Sequence, residues 1–95
     1  MKTIKTVEVI PVFIDGYMPD EKLMEERHIY ISIQYGVSIH MCLCGCRNKT
    51  VLPLHKHEWI LTENNKGISF TPSIGNFQLP CKSHYIITDN KANFV

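Results

Sequence analysis

Four cysteines are the residues of this chain with the most distinctive chemistry. Cys42, Cys44 and Cys46 fall close together, and Cys81 lies far along the chain. Reduced thiols grouped in this way are typical of metal ligands, and four of them complete the tetrahedral shell of a structural Zn²⁺. Gly45 accepts the tight or left-handed backbone needed to curl the first three toward one ion. We therefore expect a structural zinc site that joins two turns of the chain.

The ligand set is open at the level of sequence. His84 follows Cys81 with Cys-x-x-His spacing, so it could replace one cysteine. Four thiolates would equally hold an iron–sulfur cluster. The alternative without a metal is a group of free thiols in the core or a redox pair. A disulfide between cysteines two positions apart would be strained, which makes the redox alternative the weakest of these.

Serine and histidine side chains form a second candidate for chemistry. Ser73 lies in a loop bounded by a proline and a glycine, and such a loop can surround a hydroxyl with backbone N–H groups. Serine catalysis needs a base within hydrogen-bond reach and an oxyanion site. His84 and His40 each adjoin a cysteine turn and are candidates for the base or its support. The alternative for both is a structural role, either supporting the metal ligands or packing in the core. Ser83 would point to the opposite face of a strand from His84, and the alternative for Ser73 is an ordinary turn residue.

The remaining histidines and large aromatics have plainer interpretations. His28 opens a predicted strand and is expected to be solvated. His55 and His57 lie in a polar loop, where a surface role outweighs metal binding. Trp59 and Phe77 are expected in the core or over a cysteine turn, and Trp59 is also a candidate substrate contact.

Short strands must position these groups. Residues 28–34 alternate, which predicts that Ile29, Ile31 and Ile33 share a buried face. Residues 37–41 alternate again, with His40 directed toward the cysteine turn. Val7–Ile14 is rich in β-formers and carries Pro11, which suits an edge strand or a bulge.

The rest of the chain follows the same pattern. Residues 20–27 favour a short helical turn, and further short strands or extended pieces are predicted at 49–54, 59–63, 68–71, 77–79, 84–88 and 92–95. The sequence therefore predicts one mainly β domain over residues 1–95. We expect about seven short antiparallel strands stapled by zinc, like a zinc ribbon, with little helix.

Charge and hydropathy exclude several classes of partner. The 95 residues carry ten basic and nine acidic side chains, for a net charge of +1, with no run of either sign. Nucleic acid and anionic membrane surfaces are therefore not expected partners. No apolar run reaches the roughly 18–20 residues of a membrane span, and residues 7–14 lack the features of a signal peptide. We expect a cytoplasmic protein with reduced thiols, largely unfolded without its metal.

Four motifs in order resemble a known family. They are His40-Met-Cys-Leu-Cys-Gly-Cys46, Leu52-Pro-Leu followed by Trp59, Pro72-Ser-Ile-Gly-Asn-Phe77, and Pro80-Cys-Lys-Ser-His-Tyr85. At this spacing the chain, from about Val7 to Val95, resembles the bacterial and phage domain-of-unknown-function family numbered 6527. Members of that family occur beside genes for ubiquitin-like conjugation and look like peptidases that process or remove the modifier.

The resemblance implies a zinc-binding fold with a serine-type active site. Ser73 and His84 match the family's reactive positions, and His40 and Asn76 are candidate supports for them. Asn76 and Trp59 are also candidate substrate contacts. The matching metal ligands are Cys42, Cys44, Cys46 and Cys81. The chain departs from the family at Arg47, at Phe77 and in the loop 54–58. A ubiquitin-like protein is then the expected partner. The alternative function is a non-catalytic, zinc-ribbon-like module that binds a partner protein. A phage protein that acts on a host defence or conjugation system would be one example.

Overall fold

The computed structural model describes residues 5–54 and 58–95. Within them the regular structure is almost entirely β, with one 3-10 turn at Glu21–Leu23. The strands are β1 (Thr6–Glu8), β2 (Ile10–Phe13), β3 (His28–Ser32), β4 (Val37–Met41), β5 (Lys49–Pro53), β6 (Ile60–Asn64), β7 (Gly67–Thr71), β8 (Ile74–Gly75), β9 (His84–Thr88) and β10 (Lys91–Phe94). The mainly β prediction is confirmed, with ten short strands in the described residues instead of about seven.

The strands form two four-stranded sheets and a hairpin. The first sheet has the order β1-β10-β9-β8, the second β2-β3-β4-β5, and β6 pairs with β7. Among the described strands, β2 and β3 are the one parallel pair, which the expectation of antiparallel strands did not include. In the first sheet, Ser73 lies immediately before β8 and His84 begins β9.

The chain passes from the first sheet to the second between β1 and β2. The Val9 N–H donates to the Asn90 carbonyl at 2.9 Å, and the Ile10 N–H donates to the Arg27 carbonyl at 2.8 Å. The prediction of a single strand over Val7–Ile14 is therefore wrong, because successive residues hydrogen-bond to different sheets. Pro11 lies on β2, an edge strand, as the missing N–H of proline predicts.

Both faces of the second sheet are covered, which corrects the simple alternation expected for β3. Ile29 and Ile31 are fully buried in the main core, but Tyr30 and Ser32 are buried too. Tyr30 packs with Met24 and Met41 in a smaller cluster on the opposite face. The residue expected to continue the buried face, Ile33, lies beyond the end of β3 and is exposed.

The main core fills the space between the sheets. Its fully buried members include Leu52, Ile68, Ile74, Tyr85 and Ile87, and Trp59 packs against them half-buried, as predicted. Phe77 was expected in the core or over a cysteine turn, but it is 61% exposed.

The predictions for His55 and His57 fall outside the described residues. The helical turn predicted within residues 20–27 is present, and the Asp20 carboxylate caps it by accepting from the Lys22 N–H at 2.9 Å. No helix among the described residues is long and apolar enough to cross a membrane.

Candidate functional site

The four cysteines meet at one point of the fold. The Sγ atoms of Cys42, Cys44, Cys46 and Cys81 all lie within 4.8 Å of one another. Cys42 Sγ is 3.5 Å from Cys44 Sγ and 3.7 Å from Cys81 Sγ. Sulfur atoms held about 2.3 Å from one tetrahedral ion would be about 3.8 Å apart, so the spacing fits a single metal ion.

Two turns bring these thiols together. Cys42 directly follows β4, and its carbonyl accepts from the Gly45 N–H at 3.0 Å, which curls the chain within three residues. Gly45 has a φ of 93° and Arg47 a φ of 65°, so the left-handed backbone expected for Gly45 is present and Arg47 adopts it as well. Cys81 lies in the turn between β8 and β9. The cysteine cluster therefore joins the end of β4 to the connection that precedes His84.

Polar side chains surround the sulfur atoms. Ser83 Oγ lies 2.9 Å from Cys42 Sγ and 3.5 Å from Cys81 Sγ, and the Asn48 side-chain amide donates to Cys46 Sγ at 3.2 Å. Hydrogen bonds of this kind orient thiolate ligands and stabilise their charge. Ser83 is expected to point to the opposite face of the strand from His84, and its hydroxyl indeed lies next to the cysteine cluster. Its place two residues after Cys81 was the only sequence signal for this contact.

Burial opposes the ionisation of two of the four thiols. Burial raises the pKa of Cys42, and burial also raises the pKa of Cys44 to about 12. In contrast, the Ser83 hydroxyl lowers the pKa of Cys81 to about 6. A bound metal ion would supply the positive charge that offsets the burial of the Cys42 and Cys44 thiolates. The four-cysteine ligand set fits a metal ion on both distance and charge.

His84 lies outside this cluster and contacts Ser73. Its Nε2 is 2.7 Å from Ser73 Oγ. Gly75 pairs with His84 across β8 and β9, so Ser73, two residues earlier, shares the face of the sheet on which His84 lies. The arrangement places a hydroxyl and an imidazole nitrogen at the separation that serine nucleophiles need. It does not match the alternative in which His84 replaces a cysteine ligand.

Phe77 covers this pair from the solvent side. Its ring meets the His84 ring edge-on, with centroids 5.4 Å apart and planes at 63°. The ring also lies over Gly75, where an added Cβ would overlap it. Glycine at this position is what allows the contact between Phe77 and His84. Neither the exposure of Phe77 nor this contact had a signal in the sequence beyond the spacing Gly-Asn-Phe.

The register of β8 and β9 decides which backbone N–H groups near Ser73 are free. The Asn76 N–H donates to the Ser83 carbonyl at 2.8 Å. Bonded and non-bonded pairs alternate along an antiparallel ladder, so Ile74 also faces β9, whereas the Gly75 N–H points to the open edge. Among the N–H groups of residues 74–76, the one that remains available to an oxyanion is therefore that of Gly75.

His40 and Asn76 lie on the other face of β9, in the core. His40 Nε2 is 2.7 Å from Tyr85 Oη, and the Asn76 side-chain amide donates to Tyr85 Oη at 3.2 Å and to Ser83 Oγ at 3.1 Å. Burial lowers the pKa of His40 to about 4, so its imidazole is neutral at pH 7. Since Tyr85 and His84 are consecutive on a strand, this network does not touch the Ser73–His84 pair. The structure thus places both predicted supports behind the pair, and the Asn76 side chain within the protein interior.

Trp59 contacts the site through the backbone. Its Nε1–H donates to the Ser73 carbonyl at 3.4 Å. Trp59 also lines a cleft beside β8, together with Gly75 and Asn76. The predicted substrate contacts Trp59 and Asn76 therefore both border the space next to Ser73, although only Trp59 does so from a partly exposed position.

Comparison with known families decides where this chain belongs. The family model of the bacterial ubiquitination-like system serine protease, BubE, matches residues 15–95, a range that includes the four cysteines, Ser73 and His84. The chain is a member of the BubE family. No curated protein and no solved structure matches it. The match confirms the serine-protease and ubiquitin-like context expected from the motifs, but not the family number 6527. The BubE name indicates a serine protease of a ubiquitination-like system, so a protein substrate or partner follows from it.

Proposed function

We propose that this BubE-family chain is a zinc-stabilised serine peptidase that cleaves at the carboxyl end of a ubiquitin-like modifier. The observation that carries the proposal is the 2.7 Å contact between Ser73 Oγ and His84 Nε2. A base at this distance can take the proton of the hydroxyl as the oxygen attacks. The family match supports a polypeptide as the substrate class.

The reaction follows from the positions of these two groups. Ser73 Oγ attacks the scissile carbonyl carbon, and its proton passes to His84 Nε2. The Gly75 N–H faces the open edge beside Ser73, where it can donate to the developing oxyanion. His84 then gives the proton to the leaving amine, and water hydrolyses the acyl ester on Ser73 with His84 again acting as base. His40 takes no part in these steps, because its Nε2 contacts Tyr85 Oη in the core and the network does not touch the pair.

The metal in this proposal is Zn²⁺, and its role is structural. Cys42, Cys44, Cys46 and Cys81 supply four thiolates, which leave no open position for water on a tetrahedral ion. When bound, the ion supplies charge neutralisation and a fixed anchor for the turn that leads into β9. Reduced thiolate ligands also suit the cytoplasm of a bacterium, where we place the protein.

An active-site reagent tests the nucleophile directly. An alkyl fluorophosphonate should modify the wild-type protein at Ser73 with loss of fluoride, and peptide mapping by mass spectrometry should exclude Ser83. Ser73→Ala should abolish both labelling and cleavage of the ubiquitin-like substrate, and should leave zinc content and the unfolding midpoint unchanged. Ser69→Ala, a serine on β7 whose Oγ accepts from the Asp89 N–H, is the matched control and should label normally. Substrate turnover by Ser73→Ala at the wild-type rate would refute the mechanism and favour a non-catalytic binding module.

A further inference from the structure

Two strand edges border one cleft next to the Ser73–His84 pair. The cleft has a volume of about 280 Å³, and its lining includes Val51 of β5, Gly75 of β8 and Trp59. β5 is the last strand of its sheet and β8 the last strand of the other, so within the described residues neither has a strand on its outer side. We name this space the inter-edge cleft. Its lining on the β8 side begins at Ile74, one residue after Ser73.

The β5 edge presents free backbone groups to the inter-edge cleft. The Leu54 N–H donates to the Gly36 carbonyl at 2.8 Å, which fixes the bonded pairs between β4 and β5. By alternation, the N–H and C=O of Val51 point away from β4. The Pro53 carbonyl points the same way and accepts from the Trp59 N–H at 3.2 Å. Val51 thus offers one donor and one acceptor on the cleft side of β5.

The β8 edge is arranged in the same manner. Gly75 directs its N–H and C=O outward, because its pair with His84 is a non-bonded one. The Ser73 carbonyl also points outward and accepts from Trp59 Nε1. Trp59 therefore hydrogen-bonds to both edges and lines the cleft next to Ser73.

We propose that the inter-edge cleft binds an extended polypeptide tail of the substrate as an added β-strand, which delivers the scissile carbonyl to Ser73. This inference rests on the proposed function and assigns the way in which its substrate is held. An added strand lies about 4.8 Å from each neighbour and is recognised by main-chain hydrogen bonds. Recognition through Val51 and Gly75 requires an extended, unstructured tail and is largely independent of its side chains.

The test separates the tail from the chemistry. Two reagents modify Ser73 Oγ: an alkyl fluorophosphonate, which loses fluoride, and a diphenyl phosphonate with a four-alanine arm, which loses phenol. Val51→Pro removes the N–H that faces the cleft and leaves the β4 pairing intact, since proline is tolerated on edge strands. Its second-order labelling rate should fall at least about fivefold with the alanine-arm reagent, the size expected for one lost hydrogen bond, and stay within about twofold of wild type with the alkyl reagent.

Controls on protein and ligand accompany this comparison. Glu8→Pro removes an outward N–H from β1, at the far edge of the first sheet, and should label at the wild-type rate with both reagents. A phosphonate reagent whose alanine arm is methylated on alternate backbone nitrogens should label the wild-type protein more slowly than the reagent with the unmodified arm. This labelling rate tests main-chain pairing without relying on the folding of a variant.

Every other outcome overturns the inference. If Val51→Pro slows both reagents equally or neither, or if arm methylation has no effect, main-chain pairing in the cleft does not occur. If sedimentation shows a wild-type dimer that Val51→Pro dissociates, a second copy of the chain fills the cleft. If the alkyl reagent fails to modify Ser73 in the wild type, the proposed function is wrong and this inference falls with it.

Discussion

Replacing Gly75 by alanine is expected to slow the reaction of Ser73 without unfolding the protein. An added Cβ would lie 2.9 Å from Cδ2 and Cζ of Phe77 and closer still to Cε2, so the ring must swing away. The backbone of Gly75 is in a strand and has no positive φ, so alanine fits there and stabilises by about 0.4–1 kcal/mol through the unfolded chain. The displaced ring loses its edge contact with His84, worth about 0.5–1.5 kcal/mol. Since these terms oppose each other, the free energy of unfolding should change by less than about 1 kcal/mol.

The labelling rate should respond more strongly, because Phe77 helps to hold the imidazole of His84 against Ser73. Loss of the Phe77–His84 contact removes about 0.5–1.5 kcal/mol that favours the imidazole orientation facing Ser73. The population of this orientation should fall by about two- to twelvefold, since about 1.4 kcal/mol corresponds to a factor of ten. The measurement is the second-order rate constant for fluorophosphonate modification of Ser73. Urea unfolding of the same preparations reports stability separately.

The decisive comparison is between single and double variants. Phe77→Ala should slow labelling by about the same factor as Gly75→Ala, because both remove one contact. The double variant Gly75→Ala/Phe77→Ala should then be no slower than either single variant. Two effects that multiply in the double variant, or a wild-type rate in Gly75→Ala, would refute the role assigned to the Phe77 ring.

Three further predictions concern the metal, the core and the turn. Cys81→Ser should lose zinc and cooperative unfolding, because metal binding of about 10–16 kcal/mol stabilises small zinc domains; a full equivalent of zinc by elemental mass spectrometry would contradict this. Tyr85→Phe leaves His40 Nε2 without its 2.7 Å partner in the core, so the free energy of unfolding should fall by about 1–3 kcal/mol, and an unshifted urea midpoint would argue against the network. Arg47 has a φ of 65°, so Arg47→Gly should be more stable than Arg47→Ala by about 1–2 kcal/mol in the same urea assay; equal stabilities would show that the backbone is unstrained.

The cysteine cluster could be predicted because thiol groups have distinctive chemistry that is visible from residue type alone. Cysteine has few roles in a chain of this kind, so the grouping of Cys42, Cys44 and Cys46 restricts the structure strongly, and Cys81 completes the set. Ser73 and His84 were identified as candidates, but their contact was not predicted from the residues. Whether two side chains meet depends on the register of β8 and β9, which is fixed by pairings between residues distant in sequence.

The errors in the fold have the same origin. Alternation in β3 predicted one buried face, but the second face is covered by Met24 and Met41, which come from other parts of the chain. Val9 looks like the middle of a strand, yet it is where the backbone changes partner. Phe77 was expected in the interior because phenylalanine is usually buried, and its exposure follows from contacts with Gly75 and His84 that periodicity does not report.

The pairing of β1 with β10 has a consequence for the order in which the protein can be made. Thr6–Glu8 forms its ladder with residues 91–93, and β10 in turn pairs with β9, the strand that begins at His84. During synthesis, β1 is made first but can pair only after β10 has been made. The sheet that includes His84 is therefore completed late. Contacts between such distant segments form slowly. The sheet around the Ser73–His84 contact is therefore complete only after residues 91–94 have been added to the chain.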